Sequence, residues 1–463
     1  MTATRTRRQA LGTLATLAAA ASLPGTGHAA TRRIAVVGGG MAGVACAWLL
    51  DGANDVVLFE ARSSLGGNVR SVDVDVAGTN YRVDMGAQFF HPAPYPLYTQ
   101  LLEQLGLYPP ATGGSHAFAA SITLGDPAEG QPRFVSPILP GRLWPLAAPW
   151  NRAGVEAFNT AFSAAKRRER LNAAWSLSLG DWLPTLGLSQ PQWEGMVLPW
   201  AASIFSGDIE QTRSLSARAA MVFAAKALPD RPTDPIVYYV LEQGMIEALN
   251  RMVSQFTSVQ VQVDAPVAAV SRTAAGRFLV QTAGGLQTEV DHIVFAAPGE
   301  ATLALLGGLA GTAAQQAALQ GIEFYDSRLM LHADPLYAPA KNLHHSFLNC
   351  EVQGGLCEAS MSLARVLTGA PALWKSWVTH RTQLPAQVLH DVSYRHVLTT
   401  PATITAQDSL RALQGQGGIW FAGGWTEPFD AQETALRSAM AVADAIGTAP
   451  ARRAAWPTAG RVK

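Results

Sequence analysis

The stretch IAVVGGGMAGVACAWLLDGANDVVLFE, Ile34 to Glu60, decides how this chain reads. A β-branched apolar run ends in Gly38, Gly40 and Gly43. A small-residue helix opening with Met41 and Ala42 follows, and a second apolar strand closes on Glu60. That is a strand–turn–helix–strand unit with G-x-G-x-x-G at the turn and an acid at the end of the second strand. Gly38 permits the tight turn, Gly40 lets a pyrophosphate approach the backbone, and Gly43 lets the helix pack close to the sheet. The phosphates then sit at the positive end of the helix dipole. Glu60, followed by Ala61, is placed to accept both hydroxyls of an adenosine ribose. The spacing predicts a dinucleotide site, as opposed to a Gly-rich loop in some other α/β fold.

Composition narrows the rest. A chain of 463 residues buries a large core, and its length suggests two or three domains. Acidic and basic residues balance at 34 each, and no basic patch beyond the extreme N-terminus points to nucleic acid. A charged fraction of only 15% alongside 12 Trp suits an apolar substrate or a membrane-surface encounter. Three cysteines make neither a disulfide framework nor a paired C-x-x-C site, and the histidines have no metal-ligand spacing, so no metal is predicted. Cys46 reads as a small buried hydrophobe; Cys350 and Cys357 either pair in an oxidising compartment or stay as two thiols.

Residues 1–30 read as an export signal: an Arg-rich start, a mild Ala/Leu run, then small residues before a cut after Ala29. Arg7-Arg8 followed by Gln-Ala-Leu resembles a twin-arginine signal. The expected partner of the precursor is therefore the twin-arginine machinery, and the expected location is periplasmic or secreted. That route moves folded proteins, which suits a chain that acquires its cofactor before transport. The apolar run is too short for a transmembrane anchor, and no other segment is long enough.

After Glu60 a Gly66-Gly67-Asn68 turn leads into an alternating run, Ser71 to Asp84, that reads as a hairpin. It ends in Met85-Gly86-Ala87-Gln88, a small-residue turn against which a flat ring system can lie. On these residues the chain resembles the flavin-containing amine oxidase and phytoene desaturase superfamily. Its marks are the dinucleotide turn, an E-A/S-x-x-x-x-G-G segment and a D-x-G-A segment. VDMGAQFFHPAPYPLYTQLLEQLGL is similar to a poorly characterised bacterial branch of NAD/FAD-binding oxidoreductases.

The resemblance implies FAD as the bound dinucleotide, with nicotinamide a minor alternative. It implies an α/β fold with a Rossmann-type, glutathione-reductase-like FAD domain built from discontinuous segments. An α+β substrate domain with a mixed sheet and a helical insertion accompanies it. By this reading residues 31–95, 236–305 and 407–447 form the FAD domain, 96–235 and 306–406 the substrate and cap domain, and 448–463 a disordered tail. The expected cofactor contacts are Gly38, Gly40, Met41, Ala42, Gly43, Glu60, Ala61, Gly67, Asn68, Gly86, Ala87 and Gln88. Val267 joins them through its backbone, and Gly424 and Glu433 through the C-terminal GGW…AQETAL block. Asn68 stands where the family carries Arg, and Arg70 is the candidate to take over part of its phosphate contact.

Helices are expected over Gly154 to Leu171 and Ser214 to Ala227, in a segment whose Trp144, Trp150, Trp175, Trp182, Trp193 and Trp200 read as core. Aligning Asp334-Pro335-Leu336-Tyr337 with the family's acid-Pro-aromatic stretch puts Ser327 where amine oxidases of the superfamily carry a Lys near the flavin. Ala431 stands where an aromatic would form part of a substrate cage. These departures argue against simple amine oxidation and leave the catalytic residues unassigned. Without a nearby Cys or an obvious His anchor, the FAD is expected to be non-covalent.

The reading is an FAD-dependent oxidoreductase that removes a hydride equivalent from an apolar or lipid-like small molecule, with oxygen or another electron acceptor. Two alternatives stand beside it: an exported amine or amino-acid oxidase using oxygen, and an isomerase or binding flavoprotein without net redox.

Overall fold

The computed structural model describes residues 31–136, 145–230, 234, 236–367, 369–448 and 450–453. The export signal, Trp144 and the last ten residues lie outside them. From Arg32 onward the chain forms one unit.

Strand β1 (Arg33–Val37) runs into helix α1 (Met41–Leu50) and back through β2 (Asp55–Phe59). All ten residues of α1 are buried, which only a small and apolar sequence such as MAGVACAWLL allows. The hairpin β3 (Ser71–Val76) and β4 (Thr79–Asp84) follows in the register its alternation demands, Val74 opposite Tyr81. Helix α2 (Pro96–Gln104) then packs Leu97, Tyr98, Leu101 and Leu102 into the same core as α1. This helix therefore belongs with the nucleotide-binding core, although the sequence reading ends that segment at residue 95.

The insertion begins with strands, not helices: β5 (Ser115–Ala120), β6 (Ile122–Gly125) and β7 (Phe134–Val135). Helix α3 (Arg152–Arg170) comes close to its expected span. The second expected helix is broken at Met221 into Ala217–Ala220 and Val222–Ala227. Of its tryptophans, Trp182 and Trp200 are buried.

Strand β8 (Ile236–Leu241) pairs with β5 of the insertion, so the chain rejoins the nucleotide-binding core after it and not at residue 236 as expected, with the helix Ile246–Val253 and strand β9 (Gln260–Gln262). Strands β10 (Val267–Arg272), β11 (Phe278–Thr282) and β12 (Gln287–Val290) make a three-stranded antiparallel sheet. After β13 (His292–Phe295) come the strands of the second large sheet. They are β14 (Phe324–His332), β15 (Leu348–Gln353), β16 (Leu356–Ser362), β17 (Trp374–Trp377) and β18 (Val388–Val397). Strand β19 (Ile419–Phe421) and the helix Gln432–Ile446 close the fold.

Two sheets dominate. The parallel five-stranded sheet has the order β19-β13-β1-β2-β9 and joins strands more than 380 positions apart, as a domain built from discontinuous segments requires. The mixed seven-stranded sheet has the order β18-β14-β17-β16-β15-β6-β7, so strands of the insertion extend the substrate sheet. One face of this sheet packs on the β3–β4 hairpin at one end, through Leu329, Leu331, Val392 and Tyr394, and on the helical insertion at the other, through Cys350, Cys357 and Ala359.

The tail departs from expectation at its start. Pro450–Arg453 is helical, and Arg452 donates to Asp51 at 2.8 Å, which ties this turn to the end of α1. Among the described residues no helix is long and apolar enough to cross a membrane.

Candidate active site

At the dinucleotide turn the three glycines meet three different demands. Gly38 has φ 109°, and a Cβ there would lie 2.6 Å from the Ala296 carbonyl oxygen. A Cβ on Gly43 would stand 1.8 Å from the Gly38 carbonyl oxygen, so α1 cannot pack with any side chain at that point. Gly40 is different: its φ of −77° suits any residue, and a Cβ would meet only Gly67 Cα at 3.6 Å. The protein itself does not require glycine at position 40; an approaching phosphate would. Gly40 caps α1 with no side-chain hydrogen bond, and the first bond of the helix runs from Val44 N–H to Gly40 O. The amides of Met41, Ala42 and Gly43 thus precede the helical ladder, as an anion site at a helix start needs.

Glu60 is buried at the end of β2, where Oε2 accepts from Gly39 N–H at 2.7 Å and Oε1 from Arg62 N–H at 2.9 Å. The carboxylate is therefore fixed beside the turn, next to exposed Ala61. Gly66 N–H donates to Gly39 O at 2.9 Å, and a Cβ on Gly67 would come within 2.9 Å of Gly40 Cα. Asn68 O accepts from Ala87 N–H at 3.0 Å, while a Cβ on Gly86 would sit 1.9 Å from that same oxygen. The glycine turns at 38–43, 66–67 and 86 are thus stacked backbone on backbone, a cradle that any side chain would fill. The C-terminal block arrives beside them, because the helix Gln432–Ile446 packs on α1 within one apolar core. Gly424 is buried, and a Cβ on it would be 2.2 Å from Asp430 Oδ1.

The side chains of three further expected contacts are engaged within the protein. The buried Glu433 carboxylate accepts from Tyr98 N–H at 2.9 Å and pairs with Arg437 at 3.0 Å. It serves as an acidic cap at the start of α2, and burial pushes its pKa up. Val267 lies at the start of β10, opposite Thr282, and is half-buried. Gln88 points its amide at Met361 Sδ on β16.

The face of the large sheet turned toward Gly86 carries groups that the sequence reading did not assemble. Ser327 on β14 lies opposite Tyr394 on β18, and Tyr325 lies opposite His396. Ser327 is 1% exposed, and among the described residues neither its hydroxyl nor the buried Tyr394 hydroxyl has a hydrogen-bond partner. Tyr394 OH is 3.1 Å from where a Cβ on Gly86 would stand, and burial pushes its pKa up to about 12. His396 Nδ1 pairs with Asp430 Oδ2 at 2.9 Å. Lys375 on β17 is wholly buried and donates to the Asp84 carbonyl oxygen at 2.6 Å; burial holds its ammonium well below the usual lysine range. The one signal for these groups in the sequence was the strand DVSYRHV. Exposed Asp391, Ser393 and Arg395 alternate there with inward Val392, Tyr394 and His396.

Next to Gln88 the surroundings become aromatic. The Phe89 ring lies 4.8 Å from Tyr238, 5.9 Å from Phe347 and 6.2 Å from Phe118. Phe118 pairs with Tyr238 across β5 and β8, and Ala120 pairs with Ile236 two residues further. Ala120 and Ile236 line a cavity of ≈ 100 Å³ together with Phe134, Phe158 and Phe162. The Lys166–Asp230 ion pair, 2.7 Å, stands at its rim.

The model for flavin containing amine oxidoreductases matches residues 41–324, more than half of the chain. The chain belongs to that family. Its fold, the glycine cradle and the fixed acid at Glu60 agree with it, and the protein is an FAD-dependent oxidoreductase. No curated protein matches. Three solved structures show the same fold. A putrescine oxidase is 15% identical, with a TM-score of 0.62 over 90% of this chain and 99% of that one. A fatty acid isomerase from P. acnes that produces CLA is 12% identical, with a TM-score of 0.61 over 90% of this chain and 98% of that one. A protein from Exiguobacterium sp. 255-15 assigned as a protoporphyrinogen oxidase is 16% identical, with a TM-score of 0.59 over 90% and 98%.

Proposed function

We propose that this protein dehydrogenates an apolar, lipid-like small molecule, with FAD as the two-electron acceptor. The observation that carries this reading is the aromatic wall of Phe89, Phe118, Tyr238 and Phe347 beside the Gly86–Gln88 turn. It continues along β5 and β8 to the apolar cavity at Ala120 and Ile236. Strands advance about 7 Å per two residues, so along β5 and β8 the wall lies about that far from the cavity. Ser327 supports the same substrate: the position that matches the family's lysine is a buried hydroxyl. Flavin supplies the redox chemistry when bound, while these side chains orient the chain and keep water away.

The cofactor is held non-covalently in this account. Cys350 and Cys357 are buried free thiols packed into the core of the helical insertion, where Ser203 Oγ lies 3.3 Å from Cys350 Sγ, and Cys46 is buried within α1. Acid precipitation is expected to release the yellow chromophore into the supernatant. Export by the twin-arginine route, with a periplasmic or secreted mature protein, completes the proposal on the strength of Arg7-Arg8 and the Ala-rich leader.

Hydrogen peroxide release in air separates the substrate classes. Diamines, monoamines and amino acids are expected to give none above the buffer rate; turnover of any of them at a rate typical of enzymes would overturn the lipid reading.

A further inference from the structure

We propose that His396, held by Asp430, accepts the proton that the substrate loses at the ring end of the cofactor site. This rests on the reading above, in which a C–C bond is dehydrogenated. Removing two hydrogens from adjacent carbons breaks two C–H bonds. One hydrogen leaves as hydride to the flavin, the other as a proton to His396 Nε2, and the electron pair of the second bond forms the C=C. An amine would instead supply its electron pair from nitrogen and would need no such base.

Position and geometry support the assignment. Nδ1 of His396 lies 2.9 Å from Asp430 Oδ2, so in the neutral ring Nδ1–H donates to the carboxylate and Nε2 is left as the acceptor. Nε2 has no hydrogen-bond partner among the described residues. The other oxygen of Asp430 lies against Gly424, and Tyr394, two residues before His396 on the same strand face, reaches Gly86. The pair thus touches one segment expected to hold the cofactor, and its strand touches another more than 300 residues away in sequence. The buried Ser327 hydroxyl, without a partner among the described residues, faces Tyr394 on the neighbouring strand. The titratable group absent at 327 is supplied from β18.

The groups facing His396 are the Asp430 carboxylate and the rings of Tyr325, at 5.6 Å, and Tyr394, at 6.0 Å. Beyond them, Tyr95 and Tyr325 feel the charge of Asp430, and Arg62, Arg70 and Asp84 act on Tyr394. The carboxylate in direct contact fixes the tautomer and the orientation of the ring.

The test needs no substrate. The midpoint potential of the flavin in the holoenzyme, measured against pH, counts the protons taken up with two electrons. A histidine beside the ring gains proton affinity when the ring gains negative charge. The wild type is expected to show a pH window with one more proton than flavin reduction alone requires. H396Q is expected to lose that proton, D430N to move the window, and H116Q, at the distant Glu242 pair, to match the wild type. An unchanged window in H396Q would overturn the proposal. If H396Q does not retain FAD, an unmoved window in D430N does so. Because no substrate enters, a negative result here leaves the lipid reading standing, and a wrong substrate class leaves the proton count unaffected.

Discussion

The two ends of the cofactor site are built by opposite means. At the dinucleotide end, between Gly38 and Glu60, the requirement is on the backbone: amides must be open and no Cβ may intervene. Twenty-three consecutive residues carry the whole motif. At the ring end, the face formed by Ser327, Lys375, Tyr394, His396 and Asp430 draws on three strands and a loop spread over about a hundred positions. The first kind of site is specified locally and changes little with substrate; the second is specified by strand register and can be rewritten one side chain at a time. The glycine turns thus keep the family's pattern while Ser327 and Ala431 depart from it.

The sharpest way to break this division is at the glycines. Gly43→Ala would set a Cβ 1.8 Å from a backbone oxygen, so a loss of about 3 kcal/mol in stability is expected, read as insoluble or low-melting protein. Gly40→Ala is expected to leave the fold intact and to weaken FAD by about a hundredfold, near 2.7 kcal/mol, because only the pyrophosphate competes for that space. Equal destabilisation of the apoprotein by both changes would erase the distinction between packing and cofactor glycines.

Glu60→Ala removes the ribose contacts and the anchor on Gly39 N–H. FAD affinity is expected to fall by about 1–3 kcal/mol in equilibrium dialysis, less than the combined loss at the turn. On the other side of the comparison, Lys375 gives a pH signature. Its folded pKa is lowered, so the unfolded chain binds more protons between that value and the ordinary lysine value of about 10.4. Stability should therefore rise with pH across that window, by about 1.4 kcal/mol per pH unit where one proton separates the two states. Asp84, whose pKa burial raises to about 6, acts with the opposite sign at lower pH: stability falls as pH rises from the ordinary carboxylate value to the raised one. In Lys375→Met the rise on the alkaline side is expected to vanish in denaturant melts from pH 7 to 10.

What was legible in the sequence follows the same line. The parallel unit, the hairpin, Gly66-Gly67, Gly86 and the strand before Gly423 read correctly, because each is a local rule of periodicity or glycine conformation. The break at Met221, the three strands opening the insertion, the docking of α2 on α1 and the Arg452 anchor in the tail all depend on tertiary partners. Glu433 was legible as an acid in a first turn, but not as the cap of a different helix. His396 was one of ten histidines until β14 and β18 came into register.

The central claim is that the ring end of the site handles carbon chains and not amines. Anaerobic mixing of the yellow holoenzyme with fatty acyl compounds of increasing length, amines and amino acids, followed by flavin absorbance, tests it directly. The account predicts bleaching by an acyl compound and none by the amines. Bleaching by amines alone would contradict it.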